Sequence, residues 1–392
     1  SSEMDETERF DWKHTIRFNI LMLKIVGLWP PGNESYGLTP YTLYSAVVIL
    51  SFQIGIIFFQ IANVFFILGD LQAVTGTIFV LLMEMLASLK SYCLIKNMKM
   101  LKQLMLTINS DLFQPKNLQQ RKFIQPTLNA WTKVVLTFWF FTIGWLFFSM
   151  LCPIFDKSFK EYFLPLPAWY PYNTRTSPHY ELTYLHQFVA ITCISMVTVN
   201  IDSLIAALNM YVGTQFDILC DDLRHFNETG ENVSINFDEK LKKCIQHHKE
   251  ILQFARYTND FYNWLIFVEF LVGGICIGLA MFQLTLVAPF SNEFHSFIAY
   301  VNAISVQTFM YCWFGNEIEL KSTKLPYAVF ESDWTGLPSD IKKKMIIVLL
   351  KTHKPLKMSA FGLFYLSLET FVRILRTAWS YFALLRQVNS PK

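Results

Sequence analysis

The chain has 392 residues, is 53% hydrophobic and only 16% charged, and carries a formal net charge of +3. Soluble domains normally carry about 25% charged residues, so this composition argues against a soluble protein and for a membrane one. So small a net charge, with no basic tract interleaved with aromatics, argues against a nucleic-acid partner.

Ser1-Ser2 ahead of Met4 read as an added remnant, with Met4 the natural start. Glu3, Asp5, Glu6 and Glu8 give the opening the wrong charge for a secretory signal, and no cleaved targeting sequence is expected. Apolar runs of spanning length follow near residues 41–61, 71–91, 131–151, 183–210, 264–288, 294–314 and 361–388. Seven spans predict an all-α membrane fold with its termini on opposite sides.

The connectors assigned to one side hold 25 Lys and Arg, with Lys90 at the end of the second run counted among them. Those assigned to the other side hold five, with Arg386 near the end of the last run counted among them. The positive-inside rule then places the amino terminus in the cytoplasm and the carboxyl terminus outside. Three sequons, starting at Asn33, Asn227 and Asn232, oppose this orientation. A motif that short recurs by chance, and the charge count outweighs it.

The inner connectors carry helical periodicity of their own. Leu241, Cys244, Ile245, His248, Ile251, Leu252, Ala255 and Tyr257 keep near-helical spacing, so the fifth helix is expected to begin inside the cytoplasm. Phe216, Leu219 and Leu223 extend the fourth span, and 340–351 reads as a short helix stopped by Pro355. These projecting helices either pack on one another or form an assembly domain between subunits, the reading preferred here. Cys244, His247 and His248 have ligand-like spacing without a second ligand pair, so no metal is expected. Seven scattered cysteines imply no disulfide framework. The outer segment 152–182 is rich in proline and aromatics, including Pro165, Pro167, Trp169 and Tyr170. It serves as a lid or as an aromatic belt at the headgroups.

The last run differs from a lipid-facing anchor. As 28 residues it makes a helix of about 42 Å and carries Glu369, Arg373 and Arg376. Charges at membrane depth usually face protein or water. Glu369 and Arg373 have the spacing of an intrahelical pair, and a charged pore mouth is the alternative. Glu84, Asp202 and Glu269 are the other intramembrane acids; the first and last suit helix–helix contacts, and Asp202 suits the inner boundary.

Several segments resemble insect odorant receptors: Tyr311-Cys-Trp-Phe-Gly-Asn-Glu317, Tyr327-Ala-Val-Phe-Glu-Ser-Asp-Trp334 with Leu337-Pro338, and Leu366-Ser-Leu-Glu-Thr-Phe371. Ser380-Tyr-Phe-Ala-Leu-Leu385, Gly213-Thr-Gln-Phe-Asp217 and His247-His-Lys-Glu-Ile-Leu252 continue the likeness. Ser380 to Val388 also approaches the ending of the related gustatory receptors, from which Ser380, Arg386 and Val388 depart. The resemblance implies one seven-helix subunit over residues 1–392, with a cytoplasmic anchor from about 211–263 and 315–358. It implies an odour-gated, non-selective cation channel of four subunits, multi-pass in the plasma membrane of an olfactory neuron. Its partners are a shared co-receptor, a small volatile ligand, membrane lipid and permeating cations, with no cofactor. The 92–130 loop is too short for the co-receptor, so the chain resembles the tuning subunit. The alternatives are a G-protein-coupled seven-helix chemoreceptor, which the charge asymmetry opposes, and a gustatory-type channel. No catalytic constellation and no paired broken spans are present, which speaks against an enzyme and against a transporter.

The same resemblance assigns the gate to Leu384, Gln387 and Val388, while Glu369, Arg373 and Arg376 remain, on the alternative reading, pore or inner-mouth charges. It places the odorant site in the outer half of the second, third, fourth and sixth spans. There the sequence nominates Thr75, Phe79, Phe141, Gly144, Phe148, Phe188, Ile191, Thr192, Tyr300 and Ala303.

Overall fold

The computed structural model describes residues 9–32, 36–151, 154, 162–226, 233–332 and 334–389. The three sequon asparagines and Cys152 lie outside these residues. The helices are α1 (Trp12–Ile25), α2 (Pro40–Ile67), α3 (Leu71–Lys96), α4 (Met98–Ile108), α5 (Leu118–Leu151) and α6 (His179–Arg224). They continue as α7 (Val233–Leu284), α8 (Asn292–Glu331), α9 (Ser339–Thr352) and α10 (Leu368–Asn389). Side-chain caps start several of them. Asp11 Oδ1 accepts from Lys13 N at 3.0 Å, Asp70 Oδ1 from Gln72 N at 2.9 Å, Asn117 Oδ1 from Gln120 N at 2.7 Å and Ser291 Oγ from Phe294 N at 3.1 Å. Each cap accepts an amide hydrogen that the first turn leaves without a partner.

Among the described residues six helices, α2, α3, α5, α6, α7 and α8, are long and apolar enough to cross a membrane. The seventh expected span, α10, has the length but carries Glu369, Arg373, Arg376 and Arg386 within its 22 residues. It also starts later than the sequence suggests, at Leu368 instead of near 361. The chain before it turns through Phe361 (φ 55°) and Gly362 (φ 69°) between two short strands, β1 (Ser359–Ala360) and β2 (Phe364–Tyr365). Asn259 Oδ1 accepts from Ser359 N at 3.0 Å and Asn263 Oδ1 from Phe361 N, which pins this hairpin to α7. An apolar run carries no mark of where helix gives way to turn; these two asparagines set the boundary. At about 33 Å, α10 still matches the ~30 Å hydrocarbon core.

The bundle is organised around α6, in which every residue from 199 to 216 is buried. Short polar bonds hold the neighbours to it. Asn19 Nδ2 donates to Asn200 Oδ1 (3.1 Å), Tyr211 OH to Trp12 O (2.9 Å), Trp131 Nε1 to Ser203 O (3.2 Å) and Tyr262 OH to Asn209 Oδ1 (2.8 Å). A polar group buried without such a partner would cost about 1–3 kcal/mol.

The connectors following the fourth and sixth apolar runs are as helical as their periodicity predicts, and more so. The helix of α8 runs through Pro326 and that of α5 through Pro126, where proline alone would have suggested a stop. The stripe on α7 divides: Leu241, Cys244, Ile251 and Ala255 are buried within the chain, while Ile245, Leu252 and Tyr257 stay exposed. His247 joins the buried part of this inner extension, paired with Gln215 Oε1 at 2.9 Å, and Gln215 in turn donates to Phe113 O at 3.1 Å. Burial pushes the His247 imidazole down to about 3. Its protonation is therefore suppressed in the folded chain but not in the unfolded one, so stability falls as pH drops below the free value of about 6.5. Thermal unfolding in detergent should show a lower midpoint at pH 5.5 than at pH 7.5. His247→Gln should shrink that difference; an unchanged difference would assign it elsewhere.

The outer segment lies back on the bundle. Gln187 brackets Leu166, accepting from its N and donating to its O, both at 3.1 Å. Trp169 N donates to Phe59 O at 3.0 Å, and Tyr170 is buried against the Phe59 ring with centroids 4.5 Å apart. The segment thus packs over α2 near Phe59 and α6 near Gln187, leaving Phe163 and Tyr172 exposed along the rim.

Candidate functional site: a cavity, an ionic bridge and the last helix

Between α3, α5, α6 and α8 lies a partly open cavity of about 70 Å³. Val80, Met83 and Glu84 line it from α3, and Phe138, Thr142 and Trp145 from α5. Ile191, Ile194, Ser195, Thr198 and Val199 face it from α6, and Tyr300, Ala303, Ile304 and Gln307 from α8. Its walls are mostly apolar, and some of its polar groups are already engaged. Tyr300 OH donates to Phe79 O at 2.9 Å and Thr142 Oγ1 to Phe138 O at 2.9 Å. Glu84 Oε1 accepts from Gln60 Nε2 at 2.8 Å. A mostly apolar concavity with few polar groups is the form that small-molecule sites take.

The cavity lies between the second, third, fourth and sixth of the long apolar helices, and three of the nominated residues line it while the others stand elsewhere. Ile191, Tyr300 and Ala303 line the cavity. Phe79 backs Tyr300, their centroids 4.9 Å apart, and Thr75 Oγ1 accepts from Gln283 Nε2 at 2.6 Å. Phe148 stacks on His295 at 5.2 Å, Gly144 faces Ala299, and Phe141 packs half-buried on the core. Phe188 is half-buried against the outer core, and Thr192 Oγ1 donates to the Phe188 carbonyl at 2.7 Å. On α5 the difference is one of phase. Thr142 and Trp145 each follow a nominated residue by one position, which turns the stripe by about 100°. Without a neighbouring helix in view, an aromatic stripe does not reveal which of its flanks faces a void.

Gln307 connects the cavity to a buried ionic cluster. Its Nε2 donates to Asp202 Oδ2 and to Glu269 Oε1, each at 2.5 Å. Lys90 Nζ lies 2.8 Å from Asp202 Oδ1 and 2.7 Å from Glu269 Oε2. All three charged side chains are at most 2% exposed. The cluster therefore joins α3, α6, α7 and α8. Counting Lys90 with the inner connectors is corrected by this geometry: it is a structural cation inside the bundle. The sequence carried a signal for it, since Lys90, Asp202 and Glu269 all fall inside or at the end of apolar runs, where an unpaired charge is costly.

The last helix packs by one edge only. Thr370, Ile374, Ala378 and Phe382, four apart, are buried, and Gly274 and Gly278 of α7 receive Ile374 and Ala378. On the opposite side Glu369, Arg373, Arg376, Ser380, Leu384 and Gln387 form an exposed stripe, with Val388 beside it. Arg373 Nη2 donates to Glu369 Oε1 at 2.8 Å, the expected intrahelical pair. Leu384 and Val388 are 59% and 66% exposed. No other part of the described chain covers this stripe.

Long apolar helices around a cavity, with a polar-faced helix at the edge, define a polytopic helical membrane protein. The chain belongs to the 7tm odorant receptor family, whose model matches residues 70–379. It is 30% identical over 217 residues to Odorant receptor 10 of Aedes albopictus, a match spanning 54% of this chain and 56% of that one. Along nearly its whole length it is 23% identical to Odorant receptor Or1 of Anopheles gambiae, covering 98% of this chain and 97% of that one. In fold it is similar to the insect olfactory receptor OR5 from Machilis hrabei, solved in complex with eugenol. That likeness has a TM-score of 0.81 at 16% identity and covers 97% of this chain and 100% of the other.

Proposed function

We propose that this chain is the ligand-binding, tuning subunit of an odour-gated, non-selective cation channel that works as a tetramer with a shared co-receptor in the plasma membrane. The observation that carries this reading is the uncovered polar stripe of α10. Lipid is a costly neighbour for Glu369, Arg373 and Arg376, whereas a water-filled pore ringed by four such helices accepts them. With the amino terminus inside, α10 runs outward. Leu384, Gln387 and Val388 then form the constriction near the outer end, and the three charged residues line the inner mouth. Rings of apolar side chains close a narrow pore by dewetting, and a neutral amide ring suits weak selectivity among cations.

The mostly apolar lining favours a small, volatile, mostly apolar ligand, and the eugenol complex of the Machilis hrabei receptor supports a ligand of that kind. Occupancy reaches the pore helix by a short route: Gln307 touches both the cavity and Glu269, and α7 carries α10 on its Gly274–Gly278 edge. The inner extensions act as the assembly anchor, for which Tyr327, Phe330 and Leu350, each more than half exposed, offer apolar surface.

The test is odour-evoked current in cells expressing this chain with and without the co-receptor. Current only with both subunits supports the reading. Odour responses that persist through G-protein signalling with no co-receptor present would replace it with the heptahelical-receptor alternative. In the same cells, Leu384→Ser should raise the current seen without odorant. A basal current equal to that of the wild type would remove Leu384 from the gate.

A further inference from the structure

We propose that α1 binds the anionic headgroup of an inner-leaflet phospholipid between Lys13, Arg17 and Lys24, with the acyl chains lying along Phe18, Leu21 and Ile25. Three stripes divide this helix. Trp12, Ile16, Asn19 and Leu23 are buried against the bundle. Lys13, Arg17 and Lys24, spaced by four and seven, share a second stripe and line a surface groove. None of the three takes part in an ion pair within the described residues. Phe18, Leu21 and Ile25, spaced by three and four, form the third stripe and are 55%, 51% and 50% exposed.

Cations at an inner membrane boundary are expected of any polytopic protein, and alone they would be solvated. The adjoining apolar stripe changes the argument. Water satisfies the cations but not the apolar side chains, and the hydrocarbon core does the reverse. A helix with both faces exposed is satisfied on both at the headgroup boundary. The contacts of α1 place it there. Phe18 meets Trp139 of the membrane-spanning α5 with centroids 6.2 Å apart, and the Ile25 carbonyl accepts from Tyr44 OH near the start of α2. The groove also contains His14 and, at its end, Asp11, whose carboxylate is occupied in capping the Lys13 amide at 3.0 Å. An acidic protein segment would neutralise the cations and leave the apolar stripe uncovered. A phospholipid supplies both chemistries in one molecule. The proposal rests on the cytoplasmic placement of the amino terminus, because the inner leaflet is the one rich in anionic lipid.

The experiment purifies the full-length chain from vesicles of phosphatidylcholine and phosphatidylserine and measures the retained lipids by native mass spectrometry. Each basic side chain near an anionic surface contributes about 1 kcal/mol. The wild type should therefore enrich phosphatidylserine over the bulk ratio, and the K13Q/R17Q/K24Q variant should lose about tenfold or more of that enrichment. Lys13→Arg with Lys24→Arg should keep it. Arg17→Gln alone, at an exposed position, should lower it about fivefold even if the triple variant folds poorly. Enrichment unchanged in Arg17→Gln and in the triple variant would overturn the proposal. Displacement of the lipid by inorganic phosphate would overturn it too, by reducing the groove to a free-anion site.

Discussion

Replacing Lys90 with methionine is expected to be among the most destabilising single changes in the chain. Asp202 and Glu269 would keep the two N–H donors of Gln307 but lose the one cation that lies within 3 Å of both. Breaking a buried ion pair by removing one partner costs about 3–5 kcal/mol, because the remaining charge is left uncompensated in a low-dielectric interior. Here two carboxylates are left. Methionine preserves most of the side-chain volume, so the loss reports charge and not a cavity. Size-exclusion chromatography of the detergent-extracted chain should show little folded Lys90→Met protein and a lowered thermal midpoint. Adding Asp202→Asn and Glu269→Gln should recover much of it, since the neutral site needs no counter-charge. A Lys90→Met chain as stable as the wild type would mean that the cluster is not held by its ion pairs.

The second large effect is expected at Gly278, where α7 supports α10, the helix proposed to line the pore. A Cβ at this position would stand 2.9 Å from the Ala378 carbonyl oxygen and 2.9 Å from Tyr381 Cβ. One of these is backbone, so a larger side chain forces α10 away from α7 instead of moving a flexible neighbour. Gly278→Val should leave enough protein at the cell surface to count yet reduce odour-evoked current at least about tenfold, because a gate depends on closely set rings. Gly274 is the control one turn away. A Cβ there would meet Ile374 Cγ2 at 3.7 Å, an ordinary contact, so Gly274→Ala should behave nearly as the wild type. Equal currents from Gly278→Val and Gly274→Ala would show that α10 tolerates displacement and that its packing edge does not set the pore.

Both predictions concern features that short-range sequence signals describe incompletely. Glu369 and Arg373 are legible as a pair because a helix fixes the separation of residues four apart. Lys90, Asp202 and Glu269 are separated by more than a hundred and by more than sixty residues, and only packing of α3, α6 and α7 makes them partners. Glu84 and Gln307 are each visible as polar residues inside apolar runs, but not as neighbours of one void. Among the nominated residues, Ile191, Tyr300 and Ala303 face the cavity, while Phe141, Gly144 and Phe148 miss it by a rotation.

By itself the sequence determined the membrane class, the approximate course of the long helices, the helical character of the connectors that extend them and the charged character of the last helix. All of these follow from local quantities: hydropathy summed over a span, apolar spacing along a turn and the cost of charge in lipid. Tertiary structure alone decided where the cavity opens, which charges neutralise one another and which face of α10 is left uncovered. Those outcomes depend on the rotation of each helix about its own axis. That rotation is set by close packing between elements distant in the chain, such as Gly278 against Ala378, and no local pattern encodes it.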